Sequence, residues 1–178
     1  GLFATSWLTH PANRFTLKAD FRANYNDRYG LDYLPNLEAH LRGSDPSSLK
    51  RTEFFGSINR SFRLPTFTDL YYTLGGAQGS ASLQPEHAWN LEAGTSIWRS
   101  PVVVSGGLEG MPTYLKATVY QRRGTNLIDW IYRTVDGAQV LQADNITQVS
   151  IQGMELETGG SAVDLLQWEA RFQAANHS

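Results

Sequence analysis

The chain has 178 residues, 41% hydrophobic, 12% aromatic and 18% charged, with 16 glycines, no cysteine and a formal net charge of −2 at pH 7. That length makes one domain, or a piece of a larger one, with a sizeable core. The missing cysteines exclude disulfides, thiolate metal sites and a cysteine nucleophile, and the near-balanced charge gives no basic field for nucleic acid. The longest apolar runs, such as Val102-Val103-Val104 and Trp130-Ile131-Tyr132, fall far short of the ~20 residues of a spanning helix. Spanning β-strands alternate and need no such run. Gly1-Leu2-Phe3 shows neither the basic start nor the long apolar stretch of a secretion signal.

A partial strand is expected over residues 2–9. From Phe15 to Asn26 one parity carries Phe15, Leu17, Ala19, Phe21, Ala23 and Tyr25 and the other Thr16, Lys18, Asp20, Arg22, Asn24 and Asn26. Such alternation predicts a strand with one apolar and one polar face. Tyr33, Pro35, Leu37, Ala39 and Leu41 then oppose Leu34, Asn36, Glu38, His40 and Arg42. Phe54, Ile58, Phe62 and Leu64 oppose Phe55, Ser57, Asn59, Ser61 and Arg63, with Arg60 interrupting the apolar set. Trp89, Leu91, Ala93 and Ile97 oppose Asn90, Glu92, Gly94 and Ser96, and Leu115, Ala117 and Val119 oppose Lys116, Thr118 and Arg122. Between Ile146 and Glu157 the phase changes near Gly153, which predicts a bulge. Leu166, Trp168, Ala170, Phe172 and Ala174 close the series against Gln167, Glu169, Arg171 and Gln173.

Short polar turns are expected at 10–14, 43–50 and 159–163, with a longer breaker-rich turn at 99–113. Longer loops are expected at 27–32, 65–86 and 134–145, and Gly75, Gly76 and Gly79 predict mobility in the largest. The fold class is therefore all-β, an antiparallel up-and-down meander of about eight strands. Two surroundings fit the alternation. In one, a soluble ligand-binding module turns the apolar parity into an internal core. In the other, that parity meets lipid. Runs of ten to thirteen residues match a tilted span of about 9–11, and Phe15, Tyr25, Tyr33, Trp89, Trp98 and Trp168 near strand ends fit an interfacial girdle.

Several segments carry a resemblance. Arg60-Ser-Phe-Arg63-Leu-Pro-Thr66-Phe-Thr-Asp69-Leu-Tyr-Tyr72 is followed by Leu83-Gln-Pro-Glu86 and Asn90-Leu-Glu-Ala-Gly94. Ala117-Thr-Val-Tyr-Gln-Arg-Arg123, Asn126-Leu-Ile-Asp-Trp-Ile131, Asn145-Ile-Thr-Gln-Val149 and Gly153-Met-Glu155 come next. In this order the sequence resembles the barrel of TonB-dependent outer-membrane receptors, and Leu127-Ile-Asp-Trp130 is similar to the cobalamin-receptor branch. The resemblance implies that residues 1–178 are a partial β-barrel domain, about eight strands of a 22-stranded transmembrane barrel. Nothing here resembles the family's plug domain or its final barrel strands.

The function so implied is TonB-energised uptake of a scarce nutrient, cobalamin or an iron–siderophore complex, in the bacterial outer membrane. The implied partners are outer-membrane lipid, the plug domain, the TonB complex, the nutrient ligand and, on the cobalamin branch, a surface lipoprotein; no nucleic acid is among them. No cofactor, metal or enzymatic activity is expected. His10, His40, His87 and His177 are scattered, no Gly-x-Ser-x-Gly elbow occurs, and the Gly-rich stretch 75–82 lacks the Lys-Ser/Thr of a phosphate loop. Ligand contacts are expected from Asp69, Tyr71, Tyr72 and Gln78 in the large loop, and from Tyr132, Arg133 and Asp136 in the loop after Trp130. Such groups combine stacking with polar contacts. Arg22, Glu38, Arg63, Glu92, Glu155, Glu169 and Arg171 are expected to line the lumen and meet the plug.

Overall fold

The computed structural model describes residues 1–9, 14–44, 50–100, 102–104, 107–109, 113–135, 137–162 and 166–177. Eight long strands follow the alternating segments: β1 (Leu2–Thr9), β2 (Phe15–Asn26), β3 (Gly30–Ser44), β4 (Lys50–Arg63), β7 (Glu86–Arg99), β10 (Thr113–Val135), β11 (Ala138–Ala162) and β12 (Leu166–His177). Each pairs antiparallel with the next, which makes the expected meander. Shorter elements fill two connections. Helix α1 (Phe67–Tyr71) and strands β5 (Thr73–Leu74) and β6 (Ala77–Gln78) lie between β4 and β7, and the hairpin of β8 (Val102–Val104) and β9 (Gly107–Glu109) lies between β7 and β10.

Register aligns like with like across the whole sheet. Phe15, Leu41, Phe54, Thr95, Ala117, Leu156 and Phe172 stand directly opposite one another from β2 to β12. On the other parity Lys18, Glu38, Ser57, Glu92 and Tyr120 do the same. Burial runs opposite to that of a soluble sheet. Phe54, Leu91, Val119 and Phe172 are 53%, 51%, 58% and 60% exposed, whereas Thr118 on the polar face is only 6% exposed. Among the described residues the buried apolar side chains are Ala23, Pro65, Leu83, Pro85 and Ala143 alone. The apolar parity is thus an outer surface and not the internal core that a soluble module requires.

Several expectations need correction. No bulge occurs at Gly153: the β10–β11 and β11–β12 ladders run through it without an extra residue, and it faces Tyr120. The phase change arises because Val149 and Ile151 pair with Gly124 and Arg122, which puts two apolar residues on the polar parity. The loop expected at 27–32 is a tight turn, in which Asn26 Oδ1 accepts from the Arg28 and Tyr29 amides and Gly30 takes φ 79°. The loop expected at 134–145 is strand on both sides of a hairpin turn, with Gly137 at φ 81° just before β11. Glycine adopts this left-handed geometry without strain.

Three polar-face glycines share one cause. Phe55, Tyr120 and Tyr114 stand directly opposite Gly94, Gly153 and Gly159 on neighbouring strands. A Cβ would come within 2.5 Å of the Phe55 ring at Gly94 and within 2.6 Å of the Tyr120 hydroxyl oxygen at Gly153. Each ring covers backbone that a glycine leaves bare. Arg60, the break in the apolar set, has a cause as well. The β3–β4 ladder starts at Asn36, just after Pro35, so Tyr33 above it has an idle carbonyl. Arg60 donates to that oxygen at 2.9 Å and lies 3.7 Å from Asp32.

Candidate functional site

The largest connection folds into a compact cap. Pro65 ends ladder donation, and Thr66 caps α1 with a reciprocal box: the Asp69 amide donates to Thr66 Oγ1 at 3.1 Å, while the Thr66 amide donates to Asp69 Oδ2 at 2.9 Å. Such a box satisfies otherwise orphaned amides. Arg63 and Glu86, the last rung of the β4–β7 ladder, close the base of the cap with two hydrogen bonds of 2.8 and 2.6 Å. Arg63 also lies 3.6 Å from Asp69, and Glu86 accepts from the Ile128 amide at 2.7 Å.

The cap then reaches across to β11. Gly75 and Gly76, at φ 64° and 80°, turn β5 into β6, and β6 pairs parallel with Leu141 and Gln142. Tyr72 meets Trp130 edge-on at 6.1 Å. Asn145 brackets the returning chain by accepting from the Gln84 amide at 2.8 Å and donating to the Gln84 and Asn126 carbonyls at 3.1 and 2.7 Å. Arg28, from the β2–β3 turn, donates to the Tyr71 hydroxyl at 3.0 Å and to the Ala81 carbonyl. Gly79 is packed against the backbone of Asp69, Leu70 and Tyr71. The mobile loop expected from the glycines is therefore a hydrogen-bonded cap.

Asp69 is only 7% exposed, and its carboxylate is used within the cap. Tyr71, Tyr72 and Gln78 are exposed on the cap. Tyr132, 73% exposed, and Arg133 lie on the paired strand β10 and not in a loop. Asp136 lies outside the described residues. Arg133 pairs with Asp144, and both line a hollow of about 360 Å³ between cap and hairpin, together with Ser80, Ser82, Thr134 and Gln142. Those hydroxyl, amide and charged groups suit a ligand rich in hydrogen-bonding atoms. Sequence reasoning missed Arg28, Ser80, Ser82, Gln142 and Asn145. Only Asn145 had a signal, because it opens one of the family-like segments.

All seven residues expected in the lumen share the polar parity with the rows described above. Arg171 lies 3.2 Å from Glu157 and 3.3 Å from Glu169, Glu38 is 2.7 Å from His40, and Arg22 donates to Asn24 at 3.1 Å. Glu92 and Glu155 line one hollow of about 380 Å³ with Asn59, Asn90, Tyr120 and Arg122. They form no ion pair or hydrogen bond among the described residues.

Burial pushes the Asp69 carboxyl up, but the Thr66 amide and hydroxyl, the nearby Arg63 guanidinium and the Trp130 contact outweigh it and hold the group below its ordinary 3.8. A depressed folded value stabilises the cap fully above the ordinary value, and that stabilisation is lost as pH falls through the folded one. Limited proteolysis should therefore cut within 66–85 only at acid pH, using an acid-active protease. Asp69→Asn should allow cleavage at neutral pH and remove the pH dependence.

Comparison with known proteins agrees with this geometry. The family model "TonB dependent receptor-like, beta-barrel" matches residues 3–177. The vitamin B12 transporter BtuB of Vibrio vulnificus (strain YJ016) is 26% identical over 145 residues, which is 82% of this chain and 20% of that protein. The siderophore receptor PirA from Pseudomonas aeruginosa superposes with a TM-score of 0.68 at 19% identity, over 92% of this chain and 28% of that one. The copper transporter OprC gives 0.60 at 18% identity, over 94% and 27%. The chain thus spans about a fifth to a quarter of the proteins it matches. These matches are receptors and transporters, not enzymes.

Proposed function

This chain belongs to the TonB-dependent receptor-like β-barrel family of the bacterial outer membrane, and on that premise we propose that its eight long strands form part of the wall of a nutrient-uptake receptor. The inverted polarity carries this reading. Keeping each large apolar side chain in water costs about 1.5–3 kcal/mol, so the outer face calls for outer-membrane lipid. The polar face lines the lumen, where Glu92 and Glu155 offer unpaired carboxylates to a plug domain. The remaining strands and the plug complete the receptor.

The whole receptor takes up cobalamin or an iron–siderophore complex on energy delivered by the TonB complex, with a surface lipoprotein as a further partner on the cobalamin branch. Tyr71, Tyr72 and Gln78 on the cap, Tyr132 and Arg133 on the hairpin, and Asp136 receive the ligand. Asp69 and Arg63 keep the cap in shape. Cells expressing the intact receptor should accumulate labelled cobalamin or a labelled ferric siderophore only when TonB is present. Replacing Tyr71 and Tyr72 together by Ala should weaken surface binding of that ligand about tenfold. Uptake that survives loss of TonB would contradict the proposal.

A further inference from the structure

Arg133 does not meet the hollow between cap and hairpin as a free cation. It stands opposite Val140 on β11, and its guanidinium reaches along the ladder to the carboxylate of Asp144, whose own partner in register is Asp129. The other oxygen of that carboxylate accepts from the Asn145 amide at 2.8 Å, which fixes Asp144 in place. We propose that Asp144 sets the charge of the ligand this hollow receives: by neutralising Arg133 it favours an uncharged ligand rich in hydroxyl and amide groups over an anionic one.

The other side chains around the hollow, those of Ser80, Ser82, Thr134, Gln142 and Ala143, carry no charge. The Arg133 and Asp144 side chains are 52% and 36% exposed. A pair so exposed adds little to stability, so its main consequence is the charge that the hollow presents. The guanidiniums nearby are occupied too. Arg63 makes two hydrogen bonds to Glu86, and Arg28 donates to the Tyr71 hydroxyl and the Ala81 carbonyl. Asp129 on the hairpin and Asp27 on the β2–β3 turn, by contrast, make no ion pair among the described residues. Against these two carboxylates stands only Arg28, whose donors clasp the cap.

Recognition of an anion relies on guanidinium or ammonium groups free to give charge-assisted hydrogen bonds. A catecholate or carboxylate chelate has to displace Asp144 from Arg133, and it approaches Asp129 and Asp27 with like charge. Such juxtaposed charges act against the wrong ligand. Uncharged hydroxyl and carboxamide groups meet no such obstacle, because the hydroxyls of Ser80, Ser82 and Thr134 and the amide of Gln142 can each donate and accept. The inference rests on the reading of this chain as part of a nutrient-uptake receptor whose ligand meets cap and hairpin.

The test uses the intact receptor in outer-membrane vesicles with three probes. Cyanocobalamin and a ferric trihydroxamate are uncharged, whereas a ferric tricatecholate is a trianion. At least one uncharged probe should bind about tenfold or more tighter than the tricatecholate. Asp144→Asn keeps the shape and frees Arg133, so it should raise tricatecholate affinity about tenfold and make it fall with added salt. Combining it with Arg133→Gln should return tricatecholate binding to the wild-type level, which a merely structural ion pair would not do. Tricatecholate binding by the wild type as tight as that of both uncharged probes, or an unaltered Asp144→Asn variant, overturns the proposal. A receptor that takes up the tricatecholate in preference, and only with TonB, keeps the uptake reading and defeats the charge preference. One that takes up none of the three defeats the uptake reading as well.

Discussion

Val119→Arg is expected to prevent stable assembly of the barrel, while Gln173→Arg, on the opposite parity, leaves it intact. Val119 sits midway along the part of β10 that pairs on both sides, between Ala93 and Met154, and its side chain points to the apolar surface. An arginine facing lipid near the bilayer midplane costs about 2–4 kcal/mol in such barrels, a large share of a typical stability of about 5–15 kcal/mol. Gln173 pairs with Glu155 on the polar parity, so an arginine there meets water and an unpaired carboxylate. Urea unfolding of the receptor in lipid vesicles measures both variants. Similar midpoints for the two would show that the faces do not differ in their surroundings.

Gly153→Val should destabilise the sheet by about 3 kcal/mol, the upper end for overpacking. Its added Cβ would meet the Ala174 carbonyl oxygen and the Tyr120 hydroxyl, each at 2.6 Å. The side chain can move away but the strand backbone cannot, so Gly153→Val combined with Tyr120→Ala should recover only part of the loss. The same denaturation experiment measures it. Wild-type stability of the single variant would mean that Tyr120 does not lie over β11.

The wall was legible because alternation and cross-strand register express the same physics. A one-residue slip would carry Phe54 or Leu91 to the wrong face, so the sequence pattern tightly restricts the pairing. The extent of the strands was less legible. Polar residues such as Gln139 and Gln142 in the upper hairpin suggested loop, yet their backbones pair with β10. Once strands project beyond an apolar environment, side-chain polarity no longer reports on the ladder.

The cap shows the same limit. Glycines at 75, 76 and 79 suggested mobility, but two of them make a turn and the third allows close backbone packing. The Thr66-x-x-Asp69 spacing is a capping signal that can be read locally. The clasp of Arg28 on Tyr71 and the bracket of Asn145 on Gln84 join residues 43 and 61 positions apart. No periodicity reveals contacts of that kind. Asp69, expected to touch ligand, also accepts from the Thr66 amide and hydroxyl at the start of the helix that carries Tyr71.

The most direct test of the inverted wall uses receptors that retain one tryptophan each, reconstituted in vesicles containing brominated phospholipid. Trp89 lies on the apolar parity and Trp98 on the polar one. Fluorescence of the Trp89 receptor should be quenched by the brominated acyl chains and resist aqueous iodide, with the Trp98 receptor less sensitive to bromine. If Trp89 is shielded from both quenchers, or Trp98 is the one quenched by lipid, the apolar parity does not face the membrane.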